Sequence, residues 1–293
     1  MRHAIQKIGL VINTQHPKAA EVGRRIRRVA MKLGAEVVME SRSAALMQIK
    51  GRTFRGMMSA VDGVVVAGGD GTLLKTVAHA SVLDRPVLGV ALGSLGFLTP
   101  LPPERIDKGL ADFISGEWDA CARTILEVRL KRRGDAEKNG RFLGYALNEV
   151  VLSRFEGARL VHLSAWVDDE LVTVYSADGV IVATPTGSTA YSLSSHGAIL
   201  TPDAPVLCLT PVCPHTLTNR PVIFSERSVV RMAPDQASRL RVTLDGHRTA
   251  RVPEDGEIEI RASERKLRWV QPKPYRFFEV LRNKLNWRGS ATR

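Results

Sequence analysis

Cysteine is scarce in this chain: 293 residues hold three, Cys121, Cys208 and Cys213. So few, and an odd number, exclude a disulfide-stapled secreted scaffold and point to a reducing, cytoplasmic home. No apolar run reaches the ~18 residues that a membrane-spanning helix needs, so no membrane partner is expected. The opening MRHAIQKIGLVIN lacks the layout of a signal peptide and reads straight into a strand. Aromatics make up 5% of the chain, and none interleave with basic residues as a single-strand nucleic-acid binder requires. Internal repeats and low-complexity linkers are missing too.

Positive charge is in excess, with 42 Lys+Arg against 30 Asp+Glu and a formal net charge of +12. Such a surface attracts polyanions, either nucleic acid or a phosphate-rich small substrate. The basic residues come in short pieces: Arg24-Arg25 with Arg27-Arg28, Lys131-Arg132-Arg133, and Arg265-Lys266 with Arg268. Each piece alone also fits a solvated face, and without a basic arm no nucleic-acid partner is expected.

The length fits two modest domains. Strands at Ile8–Ile12, Ala35–Met39, Val61–Ala67 and Pro86–Leu92 alternate with helices from Pro17, from Thr72 and over Pro102–Ile114. That alternation predicts an open, mostly parallel α/β sheet over residues 1–122. Residues 123–272 read as short alternating strands, a β-rich domain. Asp245-Gly246, Asp255-Gly256 and Ser263-Glu264 look like hairpin turns, with one helix near 187–195. The tail, 273–293, has helical spacing in Phe278, Leu281 and Leu285. Trp269 and the tail aromatics are expected to be core and docking residues. Cys208 and Cys213, near His215, lack the four compact ligands of a zinc site and are expected to be buried thiols.

Two motifs carry chemistry. Val64-Val65-Val66-Ala67-Gly68-Gly69-Asp70-Gly71-Thr72 runs strand, turn, helix. Glycines let the backbone approach phosphate oxygens, and the helix start adds N–H donors. Asp70 repels phosphate, so it makes sense holding a metal ion or orienting an attacking hydroxyl; a plain N-cap fits as well. The second motif, Thr184-Pro185-Thr186-Gly187-Ser188-Thr189-Ala190-Tyr191-Ser192-Leu193-Ser194, crowds hydroxyls where an N-capped helix needs only one. Such a corner can bind a polar ring or a ribose.

Together these motifs resemble the NAD kinase (ATP-NAD kinase) family. The resemblance continues through Leu95-Gly96-Phe97-Leu98-Thr99, Leu147-Asn148-Glu149-Val150, Pro214-His215 with Arg220-Pro221, and Asp245-Gly246, in the family's order over residues 5 to 285. Lipid kinases and phosphofructokinases share the Gly-Gly-Asp-Gly turn; the Thr184–Tyr191 stretch singles out this family. The resemblance implies an α/β domain, a β-rich domain and a C-terminal helix returning to the first. It also implies transfer of the terminal phosphoryl of ATP to the 2′-hydroxyl of the adenosine ribose of NAD. A divalent metal cation, Mg²⁺ above all, would assist, in a homodimer or homotetramer. Among site residues, it implies Asp70 as proton acceptor and, with Gly71, at the ribose. Gly68, Gly69, Gly71 and Thr72 would lie at the phosphates, and Asn148 and Glu149 would bind the ribose. Asp178 would help bind the acceptor nucleotide. Thr189, Ala190, Tyr191, Ser192, Leu193 and Ser194 would contact the adenosine part, and Arg159 and His247 fall where the family has a polar contact. The chain departs from the family pattern at Ala91, Ser94, Ser176 and His196-Gly197-Ala198.

Overall fold

The computed structural model describes residues 4–79, 85–132, 140–155, 160–235, 239–271 and 275–287. The chain forms two compact units, one of Met1–Thr76, Ser81–Cys121 and Arg268–Arg293, the other of Val77–Ala80 and Ala122–Leu267.

The first unit is built from β1 (Lys7–Ile12), α1 (Ala19–Lys32), β2 (Glu36–Met39), the short helices α2 (Ser41–Ala45) and α3 (Phe54–Met58), β3 (Gly63–Gly68), α4 (Asp70–Val77), β4 (Pro86–Ala91), α5 (Ile106–Ser115) and β5 (Asp119–Arg123). In α1, Val22, Ile26 and Ala30 recur at helical spacing and are buried, while Arg24, Arg27 and Arg28 stay exposed. The helix stops where Gly34 takes φ +81°, a left-handed turn that a glycine adopts without strain. β3 and β4 are buried along their whole length, as parallel strands covered on both faces must be. Ile8, Leu10, Ile26 and Phe113 are fully buried in this unit's core, and each such side chain contributes about 1.5–3 kcal/mol.

The second unit holds β6 (Leu126–Arg132), β7 (Arg141–Ala146), β8 (Glu149–Arg154), β9 (Val161–Val167), β10 (Glu170–Ala177), β11 (Gly179–Ala183), α6 (Tyr191–Ser194), β12 (Val206–Val212), β13 (Val222–Ser225), β14 (Val230–Pro234), β15 (Leu240–Leu244), β16 (Arg248–Val252) and β17 (Gly256–Ala262). Two six-stranded antiparallel sheets, β10-β9-β14-β17-β6-β7 and β13-β12-β11-β8-β15-β16, share one core. Val128, Leu163 and Ile258 of the one meet Val150, Val182 and Val242 of the other, so the unit is a β-sandwich.

Then β18 (Leu267–Gln271) and α7 (Phe277–Leu285) close the chain. The first unit's sheet runs β2-β1-β3-β4-β18-β5, with β1, β2, β3, β4 and β18 parallel. The fold is thus an α/β domain with a mostly parallel sheet, then a β-rich domain, with the C-terminal helix in the first unit.

Four local expectations change. Residues 267–271, read as part of the β-rich region, join the parallel sheet, because Trp269 and Val270 are 0% and 2% exposed and need cover on both faces. Asp255-Gly256 and Ser263-Glu264 are not hairpin turns: the first links β16 to β17 in the other sheet, the second leads out to β18. Asp245-Gly246 does make a hairpin, joining β15 to β16 with φ +46° and +69°. Cys208 is buried as expected, but Cys213 is exposed at φ +45°, where the chain turns sharply after β12. Of the tail aromatics, Phe278 and Trp287 stay exposed.

Candidate active site

In the first unit, β1 lies between β2 and β3, so the strand order reverses beside β3. Open α/β sheets bind ligands at the carboxyl ends of strands at such a point. Gly68 ends β3 there, and α4 begins at Asp70. A Cβ on Gly68 would overlap Thr72, whereas Gly69 and Gly71 face open space within 4 Å. The turn is tight on its inner side and leaves bare backbone on its outer side.

Asp70 does not act as an N-cap. It is the first helical residue, and its carboxylate accepts hydrogen bonds from a different segment. Phe97 N–H donates to Oδ2 at 2.9 Å; Leu98 N–H, Thr99 N–H and the Thr99 hydroxyl donate to Oδ1 at 3.0, 3.2 and 3.2 Å. The N-cap reading failed because a sequence shows which amides follow an acid, not which distant loop reaches it.

The second unit gathers Asn148, Glu149, the Thr184–Tyr191 corner and Asp245. Thr184 Oγ1 donates to the Leu147 carbonyl at 2.6 Å and accepts from Gly187 N–H at 3.1 Å. A Cβ on Gly187 would overlap the Asn148 backbone, including its carbonyl oxygen. Backbone cannot yield as a side-chain tip can, so Gly187→Ala is expected to destabilise the protein by about 1–3 kcal/mol. Differential scanning calorimetry checks this; an unchanged melting temperature would show that the corner has slack.

Asp245, 8% exposed, accepts from Leu147 N–H at 2.8 Å and, through its other oxygen, from Asn148 N–H at 2.8 Å and Glu149 N–H at 3.1 Å. It therefore fixes the strand end that presents Asn148 and Glu149. Sequence reading placed Asp245 in a hairpin, and Asp245-Gly246 among the pieces of the family resemblance, but missed this role. Glu149 is 6% exposed. Burial, and then the Asp245 carboxylate, push its pKa up to about 8, partly opposed by a hydrogen bond from the Tyr191 backbone N–H. Burial also raises Asp245, against the pull of its three amide donors. Asn148 Oδ1 and Glu149 Oε2 are buried with no hydrogen-bond partner. Two orphaned polar atoms on successive residues are costly unless a ligand completes them.

The other expected residues are distributed as follows. Tyr191 is 45% exposed at the start of α6. Ser192 is fully buried, its hydroxyl bonded to Thr210 at 3.1 Å, and Thr189 Oγ1 donates to the Thr186 carbonyl at 3.2 Å. Ala190 and Leu193 are half-buried, and Ser194 is exposed. Asp178 pairs with Arg154 at 3.3 Å. His247 Nδ1 meets the Asp245 carbonyl oxygen at 2.9 Å. His79, read from the sequence as structural or exposed, stands near this hairpin, its pKa lowered by burial and by Arg248 and His247. Arg159 lies outside the described residues.

Among the described residues, no three His, Cys, Asp or Glu side chains form a metal-holding group. Mg²⁺ often needs only one or two carboxylates beside phosphates and water. Asp70 Oδ2, with one donor against three on Oδ1, keeps room for that kind of contact.

A glycine turn bearing one acid at a sheet's switch point, followed by a β-sandwich with a hydroxyl-rich corner, defines a nucleotide-dependent phosphotransferase. The model of the ATP-NAD kinase N-terminal domain matches residues 8–118, and that of the ATP-NAD kinase C-terminal domain matches residues 147–272. A NAD kinase of Shewanella loihica is 37% identical over 291 residues, 98% of each chain. One of Shewanella baltica is 37% identical over 284 residues, 96% of this chain and 91% of that one. Among solved structures, yeast NADH kinase complexed with NADH aligns with a TM-score of 0.90 at 26% identity, covering 100% of this chain and 90% of that one. An NAD kinase from Archaeoglobus fulgidus in complex with ATP shares the fold, with a TM-score of 0.75 at 24% identity over 97% of this chain and 100% of that one. The chain belongs to the ATP-NAD kinase family.

Proposed function

We propose that this chain transfers the terminal phosphoryl of ATP to the 2′-hydroxyl of the adenosine ribose of NAD, forming NADP. Besides family membership, one observation carries the reading: the buried, unpartnered Asn148 Oδ1 and Glu149 Oε2, on successive residues at a strand end. A ribose offers adjacent hydroxyls that fill both. Tyr191 presents a ring beside them for the adenine, since its backbone N–H already touches Glu149. Thr189 to Ser194 line that corner, Ser192 from within through Thr210. Asp178, His247 and Arg159 supply further polar contacts to the acceptor nucleotide. The bare backbone at Gly69 and Gly71, with Gly68 and Thr72 holding the turn, receives phosphate.

Phosphoryl transfer passes through a loose transition state, so positioning and charge stabilisation do most of the work. Asn148 and Glu149 hold the ribose, and Asp70 takes the hydroxyl proton. A divalent ion entering with ATP would neutralise charge on the phosphates. A cytoplasmic location and a homodimer or homotetramer complete the reading. No helix of the described residues is long and apolar enough to cross a membrane.

A coupled assay of NADP formation from NAD, ATP and Mg²⁺ tests this, with turnover expected. Phosphorylation of a lipid or a sugar in place of NAD would overturn it. NADH belongs in the same assay, because the yeast neighbour is a NADH kinase.

A further inference from the structure

We propose that Thr99 and Trp269 are positioning residues that aim Asp70 so that its Oδ2 receives the acceptor's proton. This rests on the kinase reading above. The two carboxylate oxygens are not equivalent. Oδ1 takes three donors, Leu98 N–H, Thr99 N–H and Thr99 Oγ1–H, whereas Oδ2 takes Phe97 N–H alone. A carboxylate has about four lone-pair sites, two on each oxygen. Oδ1 has no capacity left, and Oδ2 keeps one site open. An unclamped carboxylate rotates and exchanges its oxygens; three donors against one prevent the exchange.

The clamp is itself held in place. Trp269, fully buried in β18, donates from Nε1 to the Leu98 carbonyl at 3.0 Å. Ala91 N–H donates to the Leu101 carbonyl at 2.8 Å, and Gly96 N–H to the Thr99 carbonyl at 3.2 Å. The Phe97 ring lies 6.4 Å from that of Phe277 in α7. Two glycines make the approach possible: a Cβ on Gly96 would overlap the Asp70 carboxylate, and one on Gly89 would overlap the Leu98 carbonyl. Leu95-Gly96-Phe97-Leu98-Thr99 is thus a carboxylate clamp, tied through Trp269 to the strand that precedes the C-terminal helix.

In the transfer, the acceptor oxygen bonds to the terminal phosphorus. The bond from that phosphorus to the bridging oxygen breaks, its electron pair leaving on ADP, and the hydroxyl proton passes to Oδ2. Reactant geometry is sensitive here, since a displacement near 1 Å can cost about 10²-fold in rate.

The test uses the full chain and steady-state NADP formation with Thr99→Val, Thr99→Ser and Trp269→Phe. Thr99→Val keeps the shape and removes the hydroxyl donor. Its kcat is expected to fall about 10- to 100-fold, with KM for NAD and ATP within about twofold of the parent. Thr99→Ser restores the donor and is expected to return kcat to within about threefold. Trp269→Phe keeps an aromatic ring, loses the Nε1 donor, and is expected to lower kcat about 3- to 10-fold; it serves where Thr99→Val fails to fold. Unchanged kcat in Thr99→Val, failure of Thr99→Ser to rescue, or a loss that appears in KM alone overturns the proposal. An inactive parent chain overturns the kinase reading first, so the two failures are told apart.

Discussion

Asp70→Asn is expected to lower kcat for NADP formation by about 10²- to 10⁴-fold, the usual contribution of a positioned proton acceptor. Asn matches Asp in shape but has one acceptor oxygen. Placed at Oδ1, that oxygen satisfies the three donors from Leu98 and Thr99. The amide nitrogen then sits at Oδ2, facing the Phe97 N–H, donor against donor. It cannot take a proton from the acceptor hydroxyl. The turn from Phe97 to Thr99 is also expected to lose about 1–3 kcal/mol through the unpaired donor. KM for NAD is expected to change little, since Asn148, Glu149 and Tyr191 grip the acceptor. Stopped assays at saturating substrate, with calorimetry on the same sample, separate the two effects. Parent-like turnover in the Asn variant would remove Asp70 from the chemistry.

How far the sequence could be read depended on the range of the interaction. The parallel sheet announced itself because β3 and β4 are continuous apolar runs, and burial on both faces leaves that trace. The position of Gly68 to Gly71 after a strand was equally plain, since turn chemistry is local. What Asp70 touches was hidden: its partners lie 27 to 29 residues along the chain, in a loop with no periodicity. Asp245 was hidden for a related reason. A hairpin acid at positive φ looks like turn chemistry, and only the fold shows that it caps the amides of Leu147, Asn148 and Glu149, 96 to 98 residues away. The hydroxyl-rich corner was read as a set of ligand contacts. Packing assigns some of its hydroxyls to the interior instead, Ser188 to Leu200 and Ser192 to Thr210. β18 misled because Leu267–Gln271 alternates like the strands before it, while its two buried faces belong to the other sheet.

Glu149 should make the stability of the free protein fall as pH rises, and Glu149→Gln should lessen that fall. The carboxyl is nearly inaccessible, and its pKa is pushed from 4.5 up to about 8 by burial and by Asp245. The groups facing it are the Asp245 carboxylate and the Tyr191 amide, with His247 beside Asp245 on the hairpin. Burial raises Asp245 as well, against the pull of its three amide donors. Below pH 4.5, Glu149 is protonated in the folded and unfolded chains alike, and it costs nothing. Between 4.5 and about 8, the unfolded chain releases the proton and the folded chain keeps it. The folded state then binds more protons, and stability falls as pH rises. At about 1.4 kcal/mol per pH unit, the loss accumulated by pH 8 is on the order of 4–5 kcal/mol. Gln is neutral at every pH and matches the protonated acid in shape. The variant should match the parent near pH 4.5 and exceed it increasingly up to pH 8. The cost would appear in function, because a fixed amide cannot adjust its proton when a ribose fills Asn148 Oδ1 and Glu149 Oε2, and KM for NAD is expected to rise about tenfold. Urea unfolding of both proteins across pH 4.5 to 9 is the measurement. Parallel stability curves would mean that the strand end at Glu149 opens to water and that the carboxyl ionises there as it does in solution.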